Sequence, residues 1–437
     1  MAGLLALGVA LLLFDLGRWW RARRPRDDGG YPERGVEAVP SRGAMHYSGY
    51  VFRDRNRSGR LDLGDAPMAW VALAMTAPDG RREMARSNLS GFANFDMSLH
   101  RRTAQIRAPG EYRFRLRVPP GWLVTTDNAE QRSRIERLDG APGDLVSRDP
   151  IRPFGLAPEL TLSGRCLERR KDGSFGAAAN ARVEASGPDR RTTRVPVGAD
   201  GSFRVAALAG GWELHIADGT SAPALVRHVV MRDAPVYVGG LVLGDDSPAA
   251  NASPASPAVV DFEGVTGFGT GKVPSGYAGL DWDYINALDP LSVAPPGYVN
   301  TLASGRYVGY SSSGFAVTIS RRGGFDFHGG YFGIGLQQAH GEHLHARAYR
   351  GDTLVADDEV VLSVLGPVWL DAEYGDVDRV VLSTARYWQF AVDDLSVSVP
   401  GGDSNAASAA ASRLTSGAAS VAIAGSPKAR ATAAPSQ

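Results

Sequence analysis

GEYRFRLRVPPGW, Gly110–Trp122, alternates with a period of two. Tyr112, Phe114, Leu116 and Val118 share one parity, and Arg113, Arg115 and Arg117 take the other. Successive side chains of an extended strand point to opposite faces, so this stretch reads as a strand with an apolar face inward and an arginine face outward. Two uses of the arginine face stay open: a solvated outer surface, or a contact for an anionic partner such as lipid headgroups or acidic glycans. The flanking chain follows the same grammar. Met45–Asp54, Met68–Thr76 and Gly91–Leu99 are strand candidates, with a tight turn at Asp79-Gly80. Thr125–Pro158 carries few strand signals and reads as a long connection.

Composition extends the β reading to the whole chain. The 437 residues include Gly 53 and Pro 27, and short apolar runs separated by Gly, Pro, Asp and Asn recur where helical periodicity is missing. Lys+Arg 47 balances Asp+Glu 47, which gives no reason to expect a nucleic-acid partner. The chain has one cysteine, Cys166, so no disulfide can form within it. Cys166 lies in the strand-like run Leu160–Leu167 and reads as a buried apolar residue.

Ala2–Phe14 is an apolar run followed by Trp19-Trp20 and the basic string Arg21, Arg23, Arg24 and Arg26. Its length suits a signal-peptide core better than the ~20 residues of a spanning helix, while the run on to Trp20 comes close to spanning length. Residues 1–20 therefore read as a signal peptide or a membrane anchor, and the expected location is exported: cell surface or periplasm. As an anchor, the basic flank would face the cytoplasm, which conflicts with the exterior character of the rest. Residues 21–43 and 246–257 read as linkers, and the Ala/Ser-rich 401–437 as a disordered tail. These divide the chain into folded units at 44–157, 158–245 and 258–400. The second repeats the plan of the first, with Leu160–Glu168, Ala181–Gly187, Ser202–Leu208 and Gly210–Gly219 as strands. In the third, candidates fall at Phe315–Ile319, Tyr331–Gln337, His343–Arg350, Glu359–Val364, Val368–Ala372 and Arg379–Ser383, a succession that suggests a jelly-roll-like sandwich.

The sharpest chemical motif is Asp54–Asp65, DRNRSGRLDLGD. Read as a twelve-position calcium loop, Asp54, Asn56, Ser58, Asp62 and Asp65 supply side-chain oxygens at positions 1, 3, 5, 9 and 12. Gly59 falls at the turn position 6, and Arg60 offers its backbone carbonyl at 7. Ca2+ takes six to eight oxygens, and a tight loop can wrap that many around one centre. The flanks are strands, not helices, so this is a structural loop inside a β domain and not a sensor. Arg53, Arg55, Arg57 and Arg60 crowd it and weaken cation binding by repulsion. An Asx-rich turn without metal is the alternative.

With the loop goes a set of spaced elements: Gly49-Tyr-Val-Phe52, the loop itself, Gly91-Phe92, Gly110-Glu-Tyr112 and Pro119-Pro-Gly121-Trp122. Together, over 44–122, they resemble the SD-repeat B-like domains of bacterial surface adhesins. The resemblance implies an immunoglobulin-like prealbumin sandwich rigidified by calcium, with Phe52 standing where a tryptophan is common. The second unit resembles carboxypeptidase regulatory-like (transthyretin-like) domains through Leu162-Ser-Gly164, Ala181-Arg-Val183 and Asp200-Gly-Ser-Phe203. The third is similar to the sandwiches of PEP-CTERM-type exported proteins through Asp261-Phe-Glu263, Gly276-Tyr277-Ala-Gly279-Leu280 and Phe390-Ala-Val-Asp393-Asp394-Leu395, although its tail lacks that anchor. The expected fold class is all-β: three consecutive β-sandwich domains, two Ig-like/prealbumin-like and one jelly-roll-like, behind a hydrophobic N-terminal segment.

Other constellations are weaker. His340, His343 and His345, with Glu342, could bind zinc or simply occupy an exposed strand face. Glu263 on the first strand of the third unit could meet Asp393 or Asp394 on the last, as a second calcium site or as polar edge residues. The aromatics of that unit, Trp282 between Asp281 and Asp283 among them, could stack sugar rings or pack a core. No nucleophile elbow, P-loop or dinucleotide fingerprint is present in the sequence. The function expected is a non-catalytic surface or adhesion protein with calcium as structural cofactor, and a surface glycan or protein as ligand. Its alternatives are a carbohydrate-binding protein acting through the third unit and, more remotely, a glycan-active enzyme.

Overall fold

A computed structural model describes residues 45–95, 106–137, 145–218, 224–243, 257–292 and 295–400. Segments 1–20, 21–43 and 401–437, and all of 246–257 but Pro257, lie outside the described residues. Among the described residues the regular structure is nearly all β-strand; Pro296–Thr301 is the one α-helix.

The first unit packs two five-stranded sheets face to face. One has the order Arg82–Arg86, Ala72–Thr76, Gly110–Arg117, Glu130–Arg137, Leu145–Ser147. The other is centred on Tyr47–Arg53, which pairs with Ala66–Pro67 and Phe92–Phe95 and runs parallel to Phe154–Pro158. The alternation at Gly110–Arg117 places its side chains as the sequence implies: Tyr112, Phe114 and Leu116 are buried and the arginines between them exposed. Tyr47 of the opposite sheet stacks on Phe114 at 5.0 Å. Such a pair adds about 0.5–1.5 kcal/mol beyond the area it buries.

Two expectations here need correction. Thr125–Pro158 is not a loose connection but holds three strands: Glu130–Arg137, Leu145–Ser147 and Phe154–Pro158. Five of the eight residues in EQRSRIER are charged, so its inward parity rests on Ser133 and Ile135 alone, too thin a signal to register. Phe154–Pro158 is buried throughout, so it has no alternation to read, and its Gly and Pro mimic a turn. The Met68–Thr76 strand begins only at Ala72, because Trp70 adopts φ 73 and breaks the extended run.

The second unit opposes a four-stranded sheet, ordered Thr192–Val195, Arg182–Ser186, Gly210–Ala217, Ala224–Met231, to Thr161–Arg169 and its neighbours. Cys166 is buried in its core beside Leu162, Val183, Leu214 and Val238. The third unit is built on two long strands, Val317–Ile334 and Val368–Thr384. Each fuses two shorter candidates, because bulges at Ser320/Phe325 and Phe327/Gly329 let the ladder continue past glycines that read as turns. At Gly329, with φ 146, an added Cβ would lie 1.9 Å from the Leu370 carbonyl oxygen, so only glycine fits there.

Each unit has its own main core, but the second and third units share a sheet. Val236–Val242 of the second unit pairs in parallel with Val368–Thr384 of the third, Val236 opposite Trp369 and Tyr237 opposite Leu370. One 14-stranded sheet thus runs through both. Leu365 packs against the first and third cores together, and Trp369 against the second.

Candidate metal loop and inter-unit junction

The Asp54–Asp65 loop joins two strands that pair with each other, Phe52 opposite Pro67 and Arg53 opposite Ala66. It is the connection of a β-hairpin, as the strand-like flanks imply. Asp54 is fully buried at its mouth. Its Oδ1 accepts the Ser58 N–H at 3.0 Å and its Oδ2 the Gly59 N–H at 2.9 Å. At the far end Asp65 accepts N–H groups from Arg55 at 3.1 Å and Asp62 at 3.0 Å. Between them, Asp62 accepts from the Asn56 amide at 3.1 Å and from the Ser58 hydroxyl at 2.8 Å. Arg57 and Gly59, at φ 58 and 72, make the turn.

All six expected ligand positions therefore lie in one hydrogen-bonded knot. The donors are all oxygens, which suits Ca2+ and not a soft metal. Burial, and behind it the charges of Asp54 and Asp62, hold the Asp65 carboxyl above its ordinary range, against the pull of its two N–H partners. Three carboxylates that feel one another are what a divalent cation neutralises. Against this, every carboxylate oxygen of Asp54 and Asp65 already has a backbone partner. Among the described residues no three His, Cys, Asp or Glu side chains converge as a ligand cluster. Each carboxylate oxygen keeps a second lone pair, so a cation would share the Asp62 carboxylate with Asn56 and Ser58 or draw it from them.

The arginines were expected to weaken the loop by repulsion, but three of them reach away from it. Arg53 is 4% exposed and donates to the Asp233 carbonyl and carboxylate, both at 3.0 Å. Arg55 donates to the carbonyls of Leu302 and Ala303, each at 2.7 Å. Arg57 donates to the Pro158 carbonyl. The hairpin is thus the meeting point of all three units. Asn300 strengthens the same junction from the third unit: its Oδ1 accepts the Ala69 N–H at 2.9 Å, and its Nδ2 donates to the carbonyls of Ala69 at 3.0 Å and Val364 at 2.9 Å. Arg227 of the second unit pairs with Asp371 of the third at 3.3 Å, both largely buried.

Glu263 lies just past the strand Ala258–Val260, which does neighbour the strand bearing Asp393 and Asp394, Val260 opposite Leu395. The carboxylates do not share a centre. Glu263 accepts N–H groups of Arg306 and Tyr307, while Asp393 accepts those of Ala303 and Ser304. They hold two ends of the loop that Arg55 grips from outside. Burial, then the neighbouring Asp394 charge, pushes the Asp393 carboxyl well up. The histidines also stay apart. His343 pairs with Glu359, His340 accepts from the Val364 N–H, and buried Glu342 faces Arg386.

Most aromatics of the third unit are core. Trp282 is 3% exposed and donates to the Tyr277 carbonyl at 2.8 Å, so it offers no face to a sugar. Tyr284 and Tyr387 remain open, 55% and 71% exposed, and Phe315 lies between them at 5.2 and 6.5 Å. Both tyrosines are held at positive φ, 57 and 56. Nothing in the SSSGF sequence around Phe315 marked it as a member.

No protein-family profile matches the sequence, and no curated protein matches it. Solved structures do. The Bacillus anthracis TIE protein aligns over 76% of this chain at 5% identity and a TM-score of 0.20, and this chain spans about half (51%) of its length. BcpA, the major pilin subunit of Bacillus cereus, aligns over 76% of this chain and 99% of its own at 8% identity and a TM-score of 0.19. A streptococcal ancillary pilin aligns over 44% of this chain and 61% of its own at 14% identity and a TM-score of 0.18. Likeness at this level carries no argument about activity, and function is argued below from the chain's own residues.

Proposed function

We propose that this chain is a non-catalytic structural or adhesion protein of the cell exterior, in which the Asp54–Asp65 hairpin is a calcium-stiffened joint. The supporting observation is the double use of one hairpin: its oxygens knot the loop while Arg53 ties it to the second unit and Arg55 to the third. A body that must transmit force or present a surface gains from such a joint, and a chain with one cysteine cannot make it with a disulfide. The SD-repeat B-like resemblance at 44–122 favours the same role for calcium. Titration calorimetry of the full chain with Ca2+ tests it. Asp62 is exposed and bonded only within the loop, so Asp62→Ala leaves the fold intact and removes a ligand. Heat of binding in the wild type that is lost in Asp62→Ala supports the joint; no heat, or equal heat in both, rejects calcium.

A second use is favoured by the Tyr284–Phe315–Tyr387 patch: sugar binding by the third unit. Backbone strain at a non-glycine residue costs about 1–3 kcal/mol and persists where something requires it. A glycan array on the full chain, compared with Tyr284→Ala/Tyr387→Ala, decides this: binding lost in the variant supports it, and unchanged or absent binding removes it.

A further inference from the structure

We infer that the outer face of the first unit's arginine sheet is a binding trench for a linear acidic polysaccharide. The trench follows from register. Ala72, Ala74 and Thr76 form its floor on the central strand. Opposite Ala72 stand Arg86 on one side and Arg117 on the other; opposite Thr76 stand Arg82 and Arg113. Between these rows, Ala74 lies between Met84 and Arg115. Small residues thus run between two walls of exposed arginine. Neighbouring strands lie ~4.8 Å apart, so the walls are about 10 Å apart at the backbone; arginines recur at about 6.7 Å along the Arg113–Arg117 wall and at about 13 Å, with Met84 between them, along the Arg82–Arg86 wall.

The fold neutralises only part of the charge on this face: Glu130 stands opposite Arg115 and Glu136 pairs with Arg134, which leaves the arginines in excess. Glu111 is shared between Arg113 at 3.5 Å and Arg132 at 3.3 Å. The side chains of Arg82, Arg115 and Arg117 have no ion pair or hydrogen bond among the described residues. Arg113 also stands directly opposite Arg132. Like charges in that position destabilise a sheet, so the arrangement has a cost that a bound anion offsets. Guanidinium groups bind carboxylate and sulfate in bidentate fashion, which suits a chain carrying such groups at intervals.

Two other polyanions fit less well. A lipid surface is planar, whereas strands twist by roughly 20–25° each, which makes a four-strand face a saddle. Among the described residues Met84, 58% exposed, is the one large apolar side chain on that face to insert. Single-stranded nucleic acid needs open aromatic platforms. The nearest, Trp70, is covered by the Arg86 guanidinium at 4.6 Å.

The test is binding of polygalacturonate and of dextran sulfate to the full chain by biolayer interferometry, with neutral dextran as control. The variant is Arg82→Gln/Arg115→Gln/Arg117→Gln, chosen because these side chains are exposed and make no contacts whose loss would unfold the sheet. The expected result is binding to one or both acidic polymers and none to dextran. Affinity should fall about tenfold or more between 50 and 200 mM salt, as counterion release requires, and about tenfold or more in the variant. The carboxylated and sulfated arms identify the anion. Failure to bind either polymer overturns the proposal, as does binding the variant retains. Tighter binding to phosphatidylglycerol vesicles or to a single-stranded oligonucleotide overturns it in favour of those partners. Loss of binding in Tyr284→Ala/Tyr387→Ala, with the arginine variant unaffected, assigns the glycan to the third unit instead.

Discussion

Replacing Asn300 by alanine should uncouple the first unit from the third. The side chain lies on the buried Pro296–Thr301 helix and is 4% exposed. It satisfies both backbone groups of Ala69 and the Val364 carbonyl. Alanine is the best helix former, so the helix itself survives the change. What is lost is three hydrogen bonds, and the groups they served stay buried; Ala69 is 0% exposed. An orphaned buried backbone group costs about 1–3 kcal/mol, so the three together cost about 3–5 kcal/mol once partial relaxation is allowed. An unfolding entropy of ~2.1 cal/mol/K per residue, over roughly 300 residues, converts that to a Tm lower by about 5–8 °C. Uncoupling would also split one calorimetric transition into two. Asn300→Asp should be at least as harmful, because it sets a carboxylate oxygen against the two carbonyls. Urea unfolding read by circular dichroism and tryptophan fluorescence measures both. If each variant stays within 1 kcal/mol of wild type and the probes still coincide, the junction does not couple the units as described.

Asp233→Ala should destabilise by about 3–5 kcal/mol, since it leaves the Arg53 charge buried without a carboxylate, whereas Arg53→Met should cost less because Asp233, 23% exposed, can rehydrate; urea midpoints of the two variants test the order. Stability should rise from pH 7.5 to pH 5. Burial pushes the Asp358 and Asp371 carboxyls up to about 6, above their unfolded range, so the folded state binds protons first as pH falls and gains about 1–3 kcal/mol in all. His328, raised by Glu373, acts in the same sense: its contribution is full below the unfolded value of ~6.5 and is lost as pH rises through the folded one. Asp358→Asn should flatten the profile in denaturant melts. Cys166, buried and with its thiol pushed up to about 11, should resist a thiol reagent in the native protein and react in urea.

The sequence showed most clearly what depends on local periodicity. Gly110–Arg117 could be read residue by residue because half its side chains are apolar and half are arginine. His343–Arg350 appears with the bounds its pattern implied. Strands buried on both faces, such as Phe154–Pro158, and strands charged on both, such as Arg82–Arg86, offer no alternation and were missed. Within the loop, ligand spacing and turn positions were legible because they are local. The partners of Arg53, Arg55 and Arg57 were not, because Asp233, Leu302 and Ala303 lie far along the chain, and no pattern near the arginines foretells them. Charges that read as a defect of the loop are the means by which the hairpin is built into the rest of the protein. The aromatic patch is half legible: the tyrosines stand out by type, but exposure, which separates Tyr387 from Tyr298, is a tertiary property.

Differential scanning calorimetry of the full chain, with Ca2+ and with chelator, tests the joint most directly. A ligand that binds only the native state raises stability by about 2.7 kcal/mol at a hundredfold excess over Kd. The structure predicts one cooperative endotherm that moves up as a whole with Ca2+ and does not move in Asp62→Ala. Separate transitions for the three units, or a wild-type endotherm indifferent to Ca2+, would contradict a calcium-stiffened joint between them.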